Sequence, residues 1–269
     1  MGSMLQKMGN FIKTKLRKNS INQNSRFDKK YKNNILKEFL NRFTIHFKGD
    51  EMFKEVINQL ITEPGPICIE IGKIVPYENF ISTWNYPCVI VIWSELKQTV
   101  QNVGLGSYVD RGYILTGSNV LENLDDCKIL VFLPNQKNYL IYSAQCIGMI
   151  QNHGLAEIKL KGSLEPLRFI KRRTITNKFK INDVIYFYSL SSGDFKIITG
   201  KILPRPLDIK DFLDNEFLTS KPGFQIDIGG PVIFKIKHNC QIIGIYRGNY
   251  THQSKTYGRF VIFPDFIFN

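Results

Sequence analysis

The chain has 269 residues, 43% of them hydrophobic and 13% aromatic, which excludes a disordered polypeptide and suits one large domain or two small ones. Its formal net charge of +13 and pI near 9.4 permit contact with nucleic acid, an acidic protein or an anionic membrane surface without choosing among them. The five cysteines (Cys68, Cys88, Cys127, Cys146, Cys240) are odd in number and irregularly spaced, with no CxxC or HxxxH pattern. Neither a disulfide framework, a metal site nor an organic cofactor is therefore expected.

Residues 1–34 are polar, rich in Asn and basic: Lys7, Lys13, Lys15, Arg17, Lys18, Arg26, Lys29, Lys30 and Lys32 stand against Asp28 alone. This reads as a flexible tail with fraying helical character. The alternative is a tail that touches RNA, DNA or lipid headgroups, with Phe11, Phe27 and Tyr31 available for stacking. No apolar signal region is present, and Gln6 stands where the myristoylation pattern needs Ser or Thr. The longest apolar runs are strand-sized, too short to span a bilayer. An intracellular location, cytoplasmic or nuclear, is expected.

Residues 35–84 read as a helical extension and lead-in. Ile35, Phe39 and Phe43, then Phe53, Val56, Ile57, Leu60 and Ile61, recur mostly at spacings of three and four. Lys48-Gly49-Asp50 breaks the pattern, and Pro64-Gly65-Pro66 ends it, so two helices joined by a turn are expected. From residue 66 the texture changes to short β-branched and aromatic runs separated by Gly, Pro, Asn and Asp. Strands are predicted at 67–71, 88–93, 106–109, 113–116, 128–133, 139–150, 156–160, 184–189, 196–203, 232–236, 241–246 and 259–263. Twelve short strands with regular turn signals describe an all-β sandwich or a pair of barrels.

Four segments, in order, carry a resemblance. Residues 104–121 read Gly-Leu-Gly-Ser-Tyr-Val-Asp-Arg-Gly-Tyr-Ile-Leu-Thr-Gly-Ser-Asn-Val-Leu, residues 154–160 read Gly-Leu-Ala-Glu-Ile-Lys-Leu, and residues 226–233 read Ile-Asp-Ile-Gly-Gly-Pro-Val-Ile. The fourth is Gln-Ile-Ile-Gly-Ile-Tyr at 241–246, followed by Gly-Arg-Phe-Val-Ile-Phe-Pro at 258–264; Thr199-Gly200-Lys201-Ile202 adds a further match. Together, over roughly residues 85–269, they resemble the trypsin-fold serine proteases, especially the HtrA/Deg type. The resemblance implies an all-β fold of two antiparallel six-stranded β-barrels, at about 85–170 and 175–269, preceded by a small helical N-terminal extension.

The resemblance places Asn119 where the family has its general base, Gly154 where it has the orienting Asp, and Ile228 where it has the nucleophilic Ser. That chemistry needs a hydroxyl nucleophile, a base within hydrogen-bond reach and a carboxylate to fix the base's tautomer. An amide cannot take the proton near neutral pH, glycine has no side chain, and isoleucine has no nucleophilic atom. The chain is therefore expected to be a pseudoprotease, not an enzyme, working as a protein-interaction module or scaffold. In the family, substrate lies as an extended strand along an edge of the second barrel. By resemblance, residues 243–248 would supply that edge, with Ile243, Gly244, Ile245, Tyr246 and Arg247 as peptide-binding candidates and Arg247 favouring an acidic peptide. Gly229 and Gly230 read either as a retained oxyanion-binding turn or, preferably, as a tight structural turn. A nucleic-acid-associated protein is the alternative, with Lys13, Lys15, Arg17, Lys18, Lys29, Lys30, Lys171, Arg172 and Arg173 as candidate contacts, although 171–173 also reads as a solvated linker. A third reading is a protease with a relocated site, for which Cys240 and His153 are the most tempting residues.

Overall fold

The computed structural model describes residues 34, 37, 50–62, 66–70, 87–135, 138–165, 178–191, 194–204, 212–236 and 239–263. Helix α1 (Asp50–Thr62) is the second of the two expected helices; most of the first, like the basic tail, lies outside the described residues. Strand β1 (Ile67–Glu70) follows the proline-rich stop, and β2 (Pro87–Ser94), β3 (Thr99–Asp110), β4 (Tyr113–Gly117), β5 (Cys127–Asn135), β6 (Asn138–Ile150) and β7 (Leu155–Leu160) come next. These six strands after β1 run antiparallel in the order β6-β5-β2-β3-β4-β7 and close through β6–β7; β1 adds to β6 from outside. The second barrel is closed and also six-stranded, in the order β10-β13-β12-β11-β8-β9. Its strands are β8 (Val184–Ser191), β9 (Asp194–Leu203), β10 (Glu216–Thr219), β11 (Pro231–Ile236), β12 (Asn239–His252) and β13 (Lys255–Ile262).

Period-two alternation explains why β2 is apolar along its whole length. Cys88, Ile90 and Ile92 point into the first barrel, with Ile129, Val131 and Leu133 of β5 and Leu140 and Tyr142 of β6. Val89, Val91 and Trp93 point the other way, into a second cluster with Leu130 and Phe132. That outer cluster is closed by Phe53, Val56 and Ile57 of α1 and, from the second barrel, by Tyr188, Leu190, Ile226 and Ile233. An antiparallel wall covered on both faces has no solvent side on which to place polar residues. A further cluster joins Leu115 and Leu155 of the first barrel to Ile242, Ile245, Val261 and Phe263 of the second.

The twelve predicted strands are all present; β1 ends one residue short of its predicted span, and the other eleven are longer than predicted by one to several residues. The strand that the sequence pattern missed is β10. It is four residues long, opens on a buried glutamate and follows Asp214-Asn215, which reads as a turn.

Helix α1 belongs to this core: the Phe53 ring lies 5.4 Å from Trp93 and 6.3 Å from Phe132. Phe53→Ala should cost about 3–5 kcal/mol, read as a lowered urea midpoint. A midpoint within 0.5 kcal/mol (about the scatter of surface changes) would show that α1 does not contribute to the barrel's stability.

Candidate functional site

The chain brings Asn119, Gly154 and Ile228 to one place between the barrels. Strand β4 runs into a 3-10 turn, Ser118–Val120, which carries Asn119. The reversal from β6 to β7 passes through the turn Gln151–His153 and then Gly154, whose carbonyl accepts from the Ser118 N–H at 3.1 Å. From the second barrel, the turn Gln225–Asp227 leads into Ile228, Gly229 and Gly230 ahead of β11. The Leu105 N–H donates to the Ile228 carbonyl at 2.8 Å. A cleft of about 400 Å³ opens here, lined by Asn102, Val103, Asn119, Val120, Glu122, Gln225 and Ile228.

Each of the three positions is shaped by its surroundings. The Asn102 amide donates to the Asn119 and Val120 carbonyls at 3.2 and 3.0 Å and holds the turn; Asn119 Oδ1 is buried with no hydrogen-bond partner among the described residues. Ile228 is only 6% exposed, and its side chain joins Val120 and Leu121 in the core of the first barrel although its backbone belongs to the second. Gly154 has φ +65°, a left-handed conformation that strains any other side chain except, in part, Asn or Asp. A Cβ there would lie 3.1 Å from Leu213 Cδ1 and 3.5 Å from Arg247 Nε. Thus a guanidinium, not a carboxylate, lies beside the backbone of this position.

Arg247 is held by Glu216, a wholly buried carboxylate at the start of β10. Glu216 Oε2 accepts from Arg247 Nη1 at 2.7 Å, Arg259 Nη2 at 2.9 Å and the Leu213 N–H at 3.0 Å, while Oε1 accepts from Arg259 Nε. Arg259 also stacks on Phe212, 4.5 Å from the ring centroid. Four donors on one buried carboxylate supply the compensation that such a charge requires. Neither Glu216 nor Arg259 was singled out from the sequence; Glu216 directly follows Asp214-Asn215, which reads as a turn, and gives no local signal of an inward-facing charge.

Next to Ile228, the gap between residues 222–224 and β12 is closed. Asn249 Nδ2 donates to the Gly223 carbonyl at 2.8 Å, and Asn249 Oδ1 accepts from the Gly223 N–H at 3.2 Å. The Tyr246 hydroxyl fills the remaining space, accepting from the same N–H at 2.7 Å and donating to Asn249 Oδ1. The Tyr246 ring stacks on Phe187 at 4.9 Å.

Asp227 is buried and accepts from the Leu190 N–H at 2.9 Å and the Phe224 N–H at 2.6 Å. Burial pushes its carboxyl from 3.8 up to about 6, against the opposing pull of these two N–H groups. Gly229, at φ +88°, sits hard against the first barrel: a Cβ would stand 2.1 Å from the Leu105 carbonyl and 2.3 Å from Thr116 Oγ1. Gly229 N–H also donates to the Tyr246 carbonyl, and Tyr246 N–H to the Gly230 carbonyl, both at 2.8 Å. The glycine pair therefore has a structural task at the join.

The expected peptide edge needs correction. Gly244 and Ile245 pair with β11 on one side and β13 on the other, and Ile243 and Tyr246 are buried with them. Those four residues are barrel wall. Beyond Tyr246, β12 pairs only with β13, so among the described residues its free edge runs from Arg247 to His252. Cys240 faces Lys235 across the β11–β12 hairpin, about four residues from Pro231 and so roughly 13 Å along the strand from the Ile228 turn. Lys13, Lys15, Arg17, Lys18, Lys29, Lys30, Lys171, Arg172 and Arg173 lie outside the described residues. Among the described residues, no group of three His, Cys, Asp or Glu is placed to hold a metal, and no helix is long and apolar enough to cross a membrane.

Solved structures similar to this one include proteases. The Rv3671c protease of M. tuberculosis, active form, aligns with a TM-score of 0.52 at 14% identity, over 71% of this chain and 82% of that one. The MamO protease domain of Magnetospirillum magneticum, apo form, gives 0.49 at 17% identity, over 65% and 90%. The serine protease of a human pathogenic astrovirus gives 0.46 at 17%, over 67% and 92%. No family model and no curated protein matches the chain. The fold is thus the two-barrel fold of the trypsin-like serine proteases, and at these identities the likeness is one of fold.

Two measurements check this site. Gly229→Ala should destabilise by about 3 kcal/mol or more, because both the left-handed φ and the Leu105 carbonyl oppose a methyl group; near-native stability would refute the close approach. Asp227 sets a pH dependence. Its folded value lies above the ordinary 3.8, so the folded chain holds this proton more tightly than the unfolded one. The cost of ionising it is absent below about pH 4, grows as pH rises toward 6, and is fully present above, roughly 3 kcal/mol in all. Asp227→Asn should lose this fall in stability between pH 4 and 6 in urea titrations, although its NH2 must face a backbone donor and lowers stability throughout. An unchanged slope would assign the effect to another group.

Proposed function

We propose that this chain is a protein-interaction module on a trypsin-like fold, without peptidase activity. The observation that carries the reading is Arg247. Its guanidinium, anchored by buried Glu216, lies beside Gly154, where a peptidase of this fold would need a carboxylate to orient its base. Two further features support it. Ile228 offers no nucleophilic atom and is committed to the core of the first barrel. The gap beside it, where a peptidase needs a pocket for a substrate side chain, is closed by Asn249 and Tyr246. The surface left for a partner at this place is β12 from Asn249 onward, with Arg247 half-buried and Gly248 buried before it.

A fluorophosphonate probe, an iodoacetamide probe and a casein digest test the negative half. The expected result is no fluorophosphonate adduct, no thiol labelling that depends on the fold's cleft, and no casein cleavage; turnover of casein by the native chain would overturn the reading. The combined variant Asn119→His, Gly154→Asp, Ile228→Ser should stay unlabelled by fluorophosphonate, since Arg247 would pair with the new carboxylate before a histidine could. It should also lose at least about 3 kcal/mol of stability, chiefly from Ile228.

A further inference from the structure

We infer that one face of the β12–β13 ribbon is a stacking site for single-stranded nucleic acid, with bases on His252 and Tyr257 and the phosphate backbone beside Lys255. The site is independent of the interaction reading above: it shares no residue with the cleft lining and uses none of the basic residues that the sequence pattern offered. β12 is 14 residues long, and beyond Tyr246 its one strand partner among the described residues is β13. Residues 251–256 are all exposed, so the ribbon projects without adding to the core. Its tip is a two-residue turn in which Gln253 (φ +48°) and Ser254 (φ +64°) both take the left-handed conformation that such a turn needs and that Asn or Gly supplies at less cost. Strain of this kind clusters at functional sites. Here it keeps His252 directly opposite Lys255, and Tyr250 opposite Tyr257.

The rings on this face are ordered before any ligand arrives. Tyr250 meets Phe212 at right angles with centroids 5.2 Å apart, and His252 stacks on Tyr250, 12° from parallel at 6.1 Å. The Tyr250 hydroxyl lies 3.4 Å from His252 Nδ1. Phe212 is buried, Tyr250 half-buried and His252 exposed, so the stack begins inside the protein and ends in an open imidazole. Rings fixed in this way lose little freedom when a base stacks on them. Lys255 Nζ lies 5.2 Å from the centroid of the Tyr257 ring, so a ring and a cation sit side by side, as base and phosphate do in a nucleotide.

Charge selects the class among ring-stacking ligands. From Ile228 to Phe263 the sequence holds Lys235, Lys237, Arg247, Lys255 and Arg259 and no Asp or Glu. Glu216, at the base of the ribbon, is buried and turned inward to two arginines. The formal charge of +13 attracts a polyanion at long range. A neutral sugar polymer would use the rings and leave Lys255 idle, whereas a duplex keeps its bases stacked on one another and away from these rings.

The test is fluorescence anisotropy of the full chain with oligo(dT), oligo(rU) and a DNA duplex of equal length, titrated over a range of salt. The expected result is tighter binding of single strands than of duplex. His252→Thr and Tyr257→Thr keep a strand-forming residue and remove the ring; each should weaken single-strand binding about tenfold and duplex binding less than about twofold. Tyr257→Phe keeps the ring and should bind as the native chain does. Lys255→Gln should reduce the slope of log affinity against log salt by roughly 0.7 on single strands. Thr251→Val, on the opposite face, should change nothing, and circular dichroism with a urea midpoint checks that each variant folds. Either order of oligo(dT) and oligo(rU), or a tie, supports the site and ranks DNA against RNA. Equal binding of duplex and single strands, ring variants that bind as the native chain does, or no binding at low salt would each overturn the inference and leave the interaction reading untouched.

Discussion

The approach of the two barrels at Gly229 is the constraint on which the rest depends. A backbone carbonyl of β3 occupies the space where any side chain of residue 229 would stand. With the chain so close, Leu105 bonds Ile228, and Gly229 and Gly230 exchange bonds with Tyr246 on either side. These contacts fix the position of the turn that leads into β11, the end of β12's paired stretch, and hence the point at which Arg247 leaves the barrel wall. The cleft exists because the barrels touch here and diverge beside it.

Polar groups around this join are arranged for position. Glu216 draws β10, β12 and β13 together through two arginines and one N–H. Asp227 ties its turn to Leu190 of β8 and to Phe224. Asn249 fastens Gly223 to β12. The buried carboxylates of Glu216 and Asp227 are costly alone and tolerable when saturated. They hold in one geometry a region that, in a peptidase of this fold, would have to admit a substrate side chain and a reacting carbonyl.

Much of the fold was legible in the sequence. Strands such as β2 and β5 announce themselves by β-branched and aromatic residues between turn signals, and the glycine-rich segments around 104–121 and 226–233 mark the join. β10 was not legible, because its first residue points a charge inward and its meaning lies in Arg247 and Arg259, 31 and 43 residues away. The true free edge of β12 was also hidden: periodicity shows that 241–246 is a strand, but only the pairing shows that both its sides are occupied up to Tyr246. The clustering of Asn119, Gly154 and Ile228 followed from resemblance; the arginine beside Gly154 and the left-handed backbone there are matters of three-dimensional packing and had no local sign.

Ile228 has a consequence for how the molecule comes apart. Its main chain is fixed in the second barrel while its side chain fills part of the first barrel's interior, and the outer cluster around Val89, Trp93, Tyr188 and Ile233 draws on both barrels as well. Neither barrel can open without exposing apolar surface that the other has buried. The outline is that of two lobes, but the thermodynamic unit is one, so a disturbance at either lobe is felt as a loss of order in both.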